Sequence, residues 1–115
     1  MIGEFAASNW KAILDNIPVG ITLTDLDGRI LYYNEYSSKV VERNPEFIGK
    51  DIRFCHKKQS SIEKIDVILS EIKDGKRQEY YYESNRNGKT LAVTISPFRI
   101  DGELIGILQS FVVKR

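Results

Sequence analysis

The chain has 115 residues, with 17 lysines and arginines against 16 acidic residues and a formal charge of +1. A chain of this length makes one domain that buries roughly two-thirds of its unfolded surface, and the near balance of charge argues against a nucleic-acid binder, which carries a basic excess. No apolar run approaches the ~20 residues of a membrane span, no charged leader precedes an apolar stretch, and the single cysteine, Cys55, leaves no internal disulfide, so a cytoplasmic domain is expected.

Residues 1–7 read as a flexible lead, native or added, residues 8–17 as an N-terminal amphipathic helix, and residues 18–115 as the domain proper. Ser8 or Asn9 can cap the helix. Trp10, Ile13, Leu14 and Ile17 then recur at i, i+3, i+4 and i+7, one apolar stripe. Pro18 ends it, because the residue before a proline is pushed out of helical space. Two turns are too short to be stable alone. The stripe therefore docks on the sheet or on a second copy of the chain, which makes these four residues the expected surface of a homodimer.

Ile21 to Asp25 and Arg29 to Asn34 are rich in Thr, Ile and Tyr and read as strands. Asp27-Gly28 between them predicts a two-residue type I′ turn. Asn87-Gly88 and Asp101-Gly102 repeat the signal. Asn34 can cap a short helix carrying Tyr36, Val40 and Val41 inward, and Asn44-Pro45 starts another turn of helix that Gly49 stops. Ser60-x-x-Glu63 is a capping box opening the longest helix, Ser61 to Asp74, with Ile62, Ile65, Ile68, Leu69 and Ile72 on one face. Gly75 stands at its stop position. Three strands follow: Gln78 to Ser84, Lys89 to Arg99 with Pro97 at an edge or bulge, and Leu104 to Val113. The last is nearly continuously apolar, which predicts that both its faces are covered.

The order is helix, two strands, short helices, one long helix, three strands. Together with Pro18-x-Gly20-Ile21, Asp25-x-Asp27-Gly28-Arg29-Ile30, Tyr33-Asn34, Gly49-Lys50-Asp51, Gly75-Lys76, Asn87-Gly88-Lys89 and Asp101-Gly102-Glu103, it resembles the PAS family over Ile13 to Val113. The segment Arg53 to Ser60, with its Cys-His pair, is similar to a PAS subgroup found beside hemerythrin-like domains. The resemblance implies an α+β fold: a five-stranded antiparallel sheet in the order 2-1-5-4-3, a helical insert on one face and an N-terminal helix. It also implies a non-catalytic sensory and signal-transduction module that binds a small ligand or cofactor and relays a signal to an effector domain of a longer chain. The rival reading is a ligand-free dimerisation or scaffold module.

In PAS domains a cavity, when present, lies between the inner sheet face and the long helix. Alternation leaves two possible inward sets per strand. The resemblance selects Thr22 and Thr24, Leu31 and Tyr33, Leu91, Val93 and Ile95, and Ile107, Gln109 and Phe111, joined by Val41, Ile52, Phe54, Ile65 and Leu69 from the helical parts. The set is mainly apolar with a few convergent polar groups, as small-ligand pockets are. Haem needs an axial donor, and His56 is the one histidine, although it precedes the long helix, where family members place theirs. A covalent flavin adduct is excluded, because Ile52 stands where the photoreceptor cysteine would, and non-covalent flavin is disfavoured. Lys50, Arg53, His56, Lys57 and Lys58 form a basic run before a helix N-terminus, which attracts anions, though such runs are usually solvated surface. No metal set is present, since Cys55-His56 is a single pair. Enzyme motifs fail too: Gly88-Lys89-Thr90 imitates a phosphate loop, but Glu83 stands where its first glycine belongs.

Overall fold

The computed structural model describes residues 9–41, 43–55, 59–86 and 88–114. Its elements are α1 (Trp10–Asn16), β1 (Gly20–Asp25), β2 (Ile30–Tyr33), α2 (Glu35–Val40), two 3-10 turns (Pro45–Phe47 and Ile52–Cys55), α3 (Gln59–Lys73), β3 (Tyr80–Arg86), β4 (Lys89–Ile100) and β5 (Glu103–Val113). The strands form one five-stranded sheet in the order β2-β1-β5-β4-β3, all pairs antiparallel. This is the expected architecture. The lead at residues 1–7, the Ser8 cap, His56, Lys57, Lys58 and Asn87 lie outside the described residues, as do the side chains of Phe54, Cys55, Ser60 and Ser61.

The hairpins divide by turn chemistry. Between β4 and β5, Asp101 and Gly102 both take positive φ, 51° and 82°, and Ile100 pairs with Glu103, the two-residue loop that Asp-Gly predicts. The β1–β2 turn is wider than expected. Gly28 N donates to Asp25 O at 3.1 Å, and Gly28 alone of the predicted turn pair takes positive φ, 90°. A turn over Leu26 and Asp27 followed by a left-handed glycine is the three-residue hairpin loop. Asp25 sets it, because its Oδ1 accepts from Asp27 N and Arg29 N, both at 2.9 Å.

This wider turn leads into a bulge. Thr24 pairs with Ile30, but Leu23 pairs with Tyr32, so Leu31 is an extra residue in β2. Strict alternation put Leu31 on the inner face. It is 44% exposed, while Ile30 is fully buried. The bulge brings Ile30 and Tyr33 to the same side although they are three apart. Leu31 therefore leaves the candidate pocket, and Ile30 enters the core with Ile52, packed by Tyr33, Phe47 and Ile65.

Asn34 ties the first half together. It is fully buried, and all four of its amide hydrogen-bonding positions are used. Oδ1 accepts from Ile21 N at 2.9 Å and Ser37 N at 3.1 Å, and Nδ2 donates to Leu14 O at 2.7 Å and Val19 O at 2.8 Å. One side chain thus caps α2 and anchors the end of α1 and the start of β1. Asn9 makes no side-chain capping bond to α1.

α3 is described from Gln59 onward, with Ser60 inside its range, and the Ser60 side chain on which the capping-box reading depends lies outside the described residues. The end of α3 is as expected. Lys76 N donates to Glu71 O at 2.9 Å and Gly75 N to Ile72 O at 3.1 Å, with Gly75 at φ 72°, a Schellman stop. The apolar face of α3 lays Ile68, Leu69 and Ile72 over Leu91, Val93 and Ile95 of β4 and Ile107 and Phe111 of β5, with Val41 alongside. The far end of the Phe111 ring lies against Gly20, where any Cβ would overlap it. The outer sheet face is not fully covered among the described residues: Val112 of β5 is 42% exposed, against the expectation from its apolar run. Pro97 falls past the last β3–β4 pair, Tyr80 with Ile95, and just before a bulge at Phe98/Arg99, where its missing N–H removes no ladder bond.

Candidate functional site

Between α3 and the inner faces of β3, β4 and β5 lies a cavity of about 150 Å³. Its apolar wall is Val41, Ile65, Ile68, Leu91, Val93 and Phe111, and its polar lining is Arg43, Lys64, Tyr82, Ser84, Arg86 and Gln109. A smaller void of about 20 Å³ continues deeper, among Thr24, Ile52, Ile65, Ile68, Tyr82, Ile95, Ile107 and Gln109. The candidate residues Val41, Ile65, Leu91, Val93, Gln109 and Phe111 thus come together around the first space, and Thr24, Ile52, Ile95 and Ile107 around the second.

The other candidates are placed elsewhere. Thr22 is fully buried but occupied, its hydroxyl 3.2 Å from Ser37 Oγ and accepting from Arg43 Nε at 3.2 Å. Tyr33 packs on Ile30 and Ile52. Leu69 belongs to the core under α3 but does not line the cavity, and it reaches toward Gly28 and Arg53. The resemblance selected each of them for the pocket; Tyr33 instead joins the cluster of Ile30, Ile52, Phe47 and Ile65, and Leu69 reaches the β1–β2 turn at Gly28. Phe54 and the haem candidate His56 fall outside the described side chains.

The polar lining was missed by sequence reasoning except for Gln109. For Tyr82, Ser84 and Arg86 the signal existed: in β3 they alternate with Tyr81, Glu83 and Asn85, and the register with β4 turns them inward. For Arg43 there was none. It follows α2 in an irregular segment, is 7% exposed, and donates from Nη2 to Gln109 Oε1 at 3.3 Å as well as to Thr22. Lys64 Nζ stands 3.6 Å from the centre of the Tyr82 ring, a cation–π contact. Burial pushes the Tyr82 phenol above its ordinary range, while its hydrogen bond with Gln109 and the charges of Arg86 and Arg43 pull the other way.

The basic run before α3 is not an anion site at Arg53. Its Nε and Nη2 hold both oxygens of Asp51 at 2.8 Å, Nη1 bonds Asp66, and Nη2 also reaches Asp27 O at 2.9 Å. This fork clamps the β1–β2 turn to α3, and the Arg53 hydrogen bond holds the Asp51 carboxyl below the usual range. The α1 stripe is divided: Trp10 and Ile13 are 51% and 47% exposed, whereas Leu14 and Ile17 are half-buried. Trp10 meets Tyr32 edge-on at 5.6 Å between ring centres.

A family model described as a PAS domain matches residues 10–112, nearly the whole chain and the whole sheet. The chain belongs to the PAS family. Solved structures show the same fold. The C-terminal domain of a protein from Streptococcus mutans has TM-score 0.79 at 23% identity, over 95% of this chain and 85% of that one. The PAS domain of BvgS from Bordetella pertussis has TM-score 0.74 at 17% identity, over 94% and 85%. A sensory box sensor histidine kinase from Vibrio cholerae has TM-score 0.63 at 13% identity, over 90% and 88%. A search of curated proteins finds no match.

In this PAS domain the cavity is smaller than the several hundred Å³ of pockets for drug-sized ligands. It does not take a haem or flavin ring system as it stands, so neither cofactor finds support in its geometry. No helix among the described residues is long and apolar enough to cross a membrane.

Proposed function

We propose that this PAS domain is a non-catalytic sensory module of the cytoplasm, that a small molecule occupies the cavity between α3 and the sheet, and that its presence is relayed to an effector domain of a longer chain. The observation that carries the reading is the cavity itself. Interiors are normally close-packed, yet here about 150 Å³ is left open beside buried polar groups. A space of that size is enough for a benzene-sized molecule, and this one, reached from solvent past the exposed Lys64, adds polar anchors. The likeness to domains of sensor histidine kinases supports a signalling role.

Relay runs through the sheet in this reading. β4 and β5 line the cavity with their inner residues and carry Thr94, Ser110 and Val112 on the outer face. A ligand that shifts the inner row moves the outer row with it. Pairing of two copies through the exposed half of the α1 stripe belongs to the same proposal, supported by a seven-residue helix that leaves Trp10 and Ile13 half in water.

The test is a thermal-shift screen of the whole chain against a broad metabolite panel. A ligand at a hundred times its dissociation constant adds about 2.7 kcal/mol, a rise of roughly 10 °C for a domain of this size. No shift from any compound would replace this reading with the ligand-free scaffold.

A further inference from the structure

We propose that the open edge of β3 takes on an extended strand of a partner protein, one that carries acidic side chains on the row lying over the α3 side of the sheet.

The sheet has two edges, β2 and β3, and the chain treats them differently. β2 is covered by the segment 49–52. Ile30 N donates to Lys50 O at 2.8 Å, Gly49 N donates to Ile30 O at 2.7 Å, and Ile52 N donates to Gly28 O at 2.7 Å. At β3 the main chain is open. Lys114 N donates to Thr90 O at 2.9 Å, so Thr90 turns its main-chain groups to β5. Alternation then turns those of Leu91, Val93 and Ile95 to β3, where they meet Ser84, Tyr82 and Tyr80. The N–H and C=O groups of Tyr81, Glu83 and Asn85 therefore point out of the sheet, and no other described residue hydrogen-bonds to them. An uncovered edge is a template for another strand. Natural edges are blunted by proline, lysine, a bulge or a covering loop. β3 holds no proline or lysine over Tyr80–Arg86, and its register with β4 is unbroken.

The two flanks of this edge define the partner's chemistry. Tyr81, Glu83 and Asn85 form the outer flank, where the Glu83 carboxylate is held by Lys114 Nζ at 2.8 Å. The α3 flank is cationic. Tyr80, Tyr82, Ser84 and Arg86 form its row, Lys64 Nζ stands 3.6 Å from the centre of the Tyr82 ring, and the Arg77 guanidinium lies 4.8 Å from that of Tyr80. Lys64, Arg77 and Arg86 make no ion pair with a described residue. An incoming strand sets every second side chain beside this row, so acids at alternate positions meet these cations. A second copy of β3 fits less well. Edge pairing keeps like flank with like flank, so the cations of the α3 side would face one another. Centring the joint on Glu83 would also set carboxylate against carboxylate, and like charges directly opposite are destabilising.

The experiment is amide hydrogen exchange and calorimetry on the whole chain with a blocked peptide of roughly nine residues, the length of a strand, alternating Glu with Val. A second peptide has Lys in place of every Glu. We expect the acidic peptide to bind one-to-one and to slow exchange at Tyr81, Glu83 and Asn85, and the basic one to bind at least tenfold more weakly. Glu83→Pro removes an outward N–H and no ladder bond to β4, so it should fold and lose the acidic peptide at least tenfold. Should it not fold, Lys64→Gln with Arg86→Gln carries the test: the pair should bring the two peptides to within threefold of each other. No binding, binding without protection at the three amides, or equal affinity for both peptides would each overturn the proposal. Protection that instead grows with protein concentration alone and disappears in Glu83→Pro would assign the edge to a second copy and overturn it too. None of these outcomes bears on whether the cavity holds a ligand.

Discussion

Asn34→Ala should be among the most damaging single changes in this domain. The carboxamide is fully buried and makes four hydrogen bonds, to Ile21 N, Ser37 N, Leu14 O and Val19 O. An intramolecular bond of this kind contributes about 1 kcal/mol net, but a buried partner left unsatisfied costs about 1–3 kcal/mol. Leu14 O, on half-buried α1, can recover water, and Ile21 N and Ser37 N are the groups stranded. The Ser37 N bond is itself the cap of α2, so the two stranded donors together give a loss of roughly 2–6 kcal/mol. That is about 8–24 °C in Tm for a domain of this size. Asn34→Asp separates hydrogen bonding from volume. It keeps both acceptor bonds but aims an oxygen at Leu14 O and Val19 O. Only the protonated carboxyl can donate there, so its folded-state pKa is raised. The associated stability is then present below the unfolded value, near 4, and lost as pH rises through the folded one. Urea unfolding at pH 7 and pH 4 reads both variants. A loss under ~1 kcal/mol in Asn34→Ala, or no pH-dependent deficit in Asn34→Asp relative to wild type, would refute the reasoning.

Three further outcomes are expected. The Asp51 carboxyl is held low by its Arg53 hydrogen bond, so its contribution is present above the unfolded value and lost as pH falls through the folded one; Asp51→Asn should flatten that acid limb in a pH series of melts, and an unchanged limb would contradict the clamp. Burial raises the Tyr82 phenol above 10.0, so stability should decline as pH climbs past 10 toward the folded value, less steeply in Tyr82→Phe; equal slopes would place the phenol in water. Trp10→Ser with Ile13→Ser should convert a dimer to monomer in sedimentation velocity, and an unchanged dimer would move the pairing surface to the sheet alone.

The strands, hairpins and long helix were legible because they are written in local chemistry, in Asp-Gly pairs, the Asn34 cap, Gly75, and apolar residues at period two or near 3.6, whereas the order of the strands in the sheet came from the resemblance to PAS domains. The failures share a cause. Leu31 was placed inward by an alternation that the β2 bulge breaks, and nothing local marks the bulge except Asp25, whose double acceptance widens the turn before it. Leu69 and Tyr33 lie on the correct faces of their elements but meet a neighbour other than the cavity. Arg43 was invisible because its burial depends on Thr22 and Gln109, 21 and 66 residues away. By contrast, Tyr82, Ser84 and Arg86 followed the same alternation that located Leu91 and Val93. They were lost by leaving β3 out of the pocket, not for want of a signal.

The central claim is that the room between α3 and the sheet is what this PAS domain uses to sense. It is tested most directly by running the metabolite thermal-shift panel on wild type beside Ser84→Phe, which puts a benzyl group where a hydroxymethyl lines the cavity. The account predicts that a compound shifts wild type by several degrees and leaves the filled variant unmoved at equal or higher basal Tm. The same shift in both proteins would contradict it.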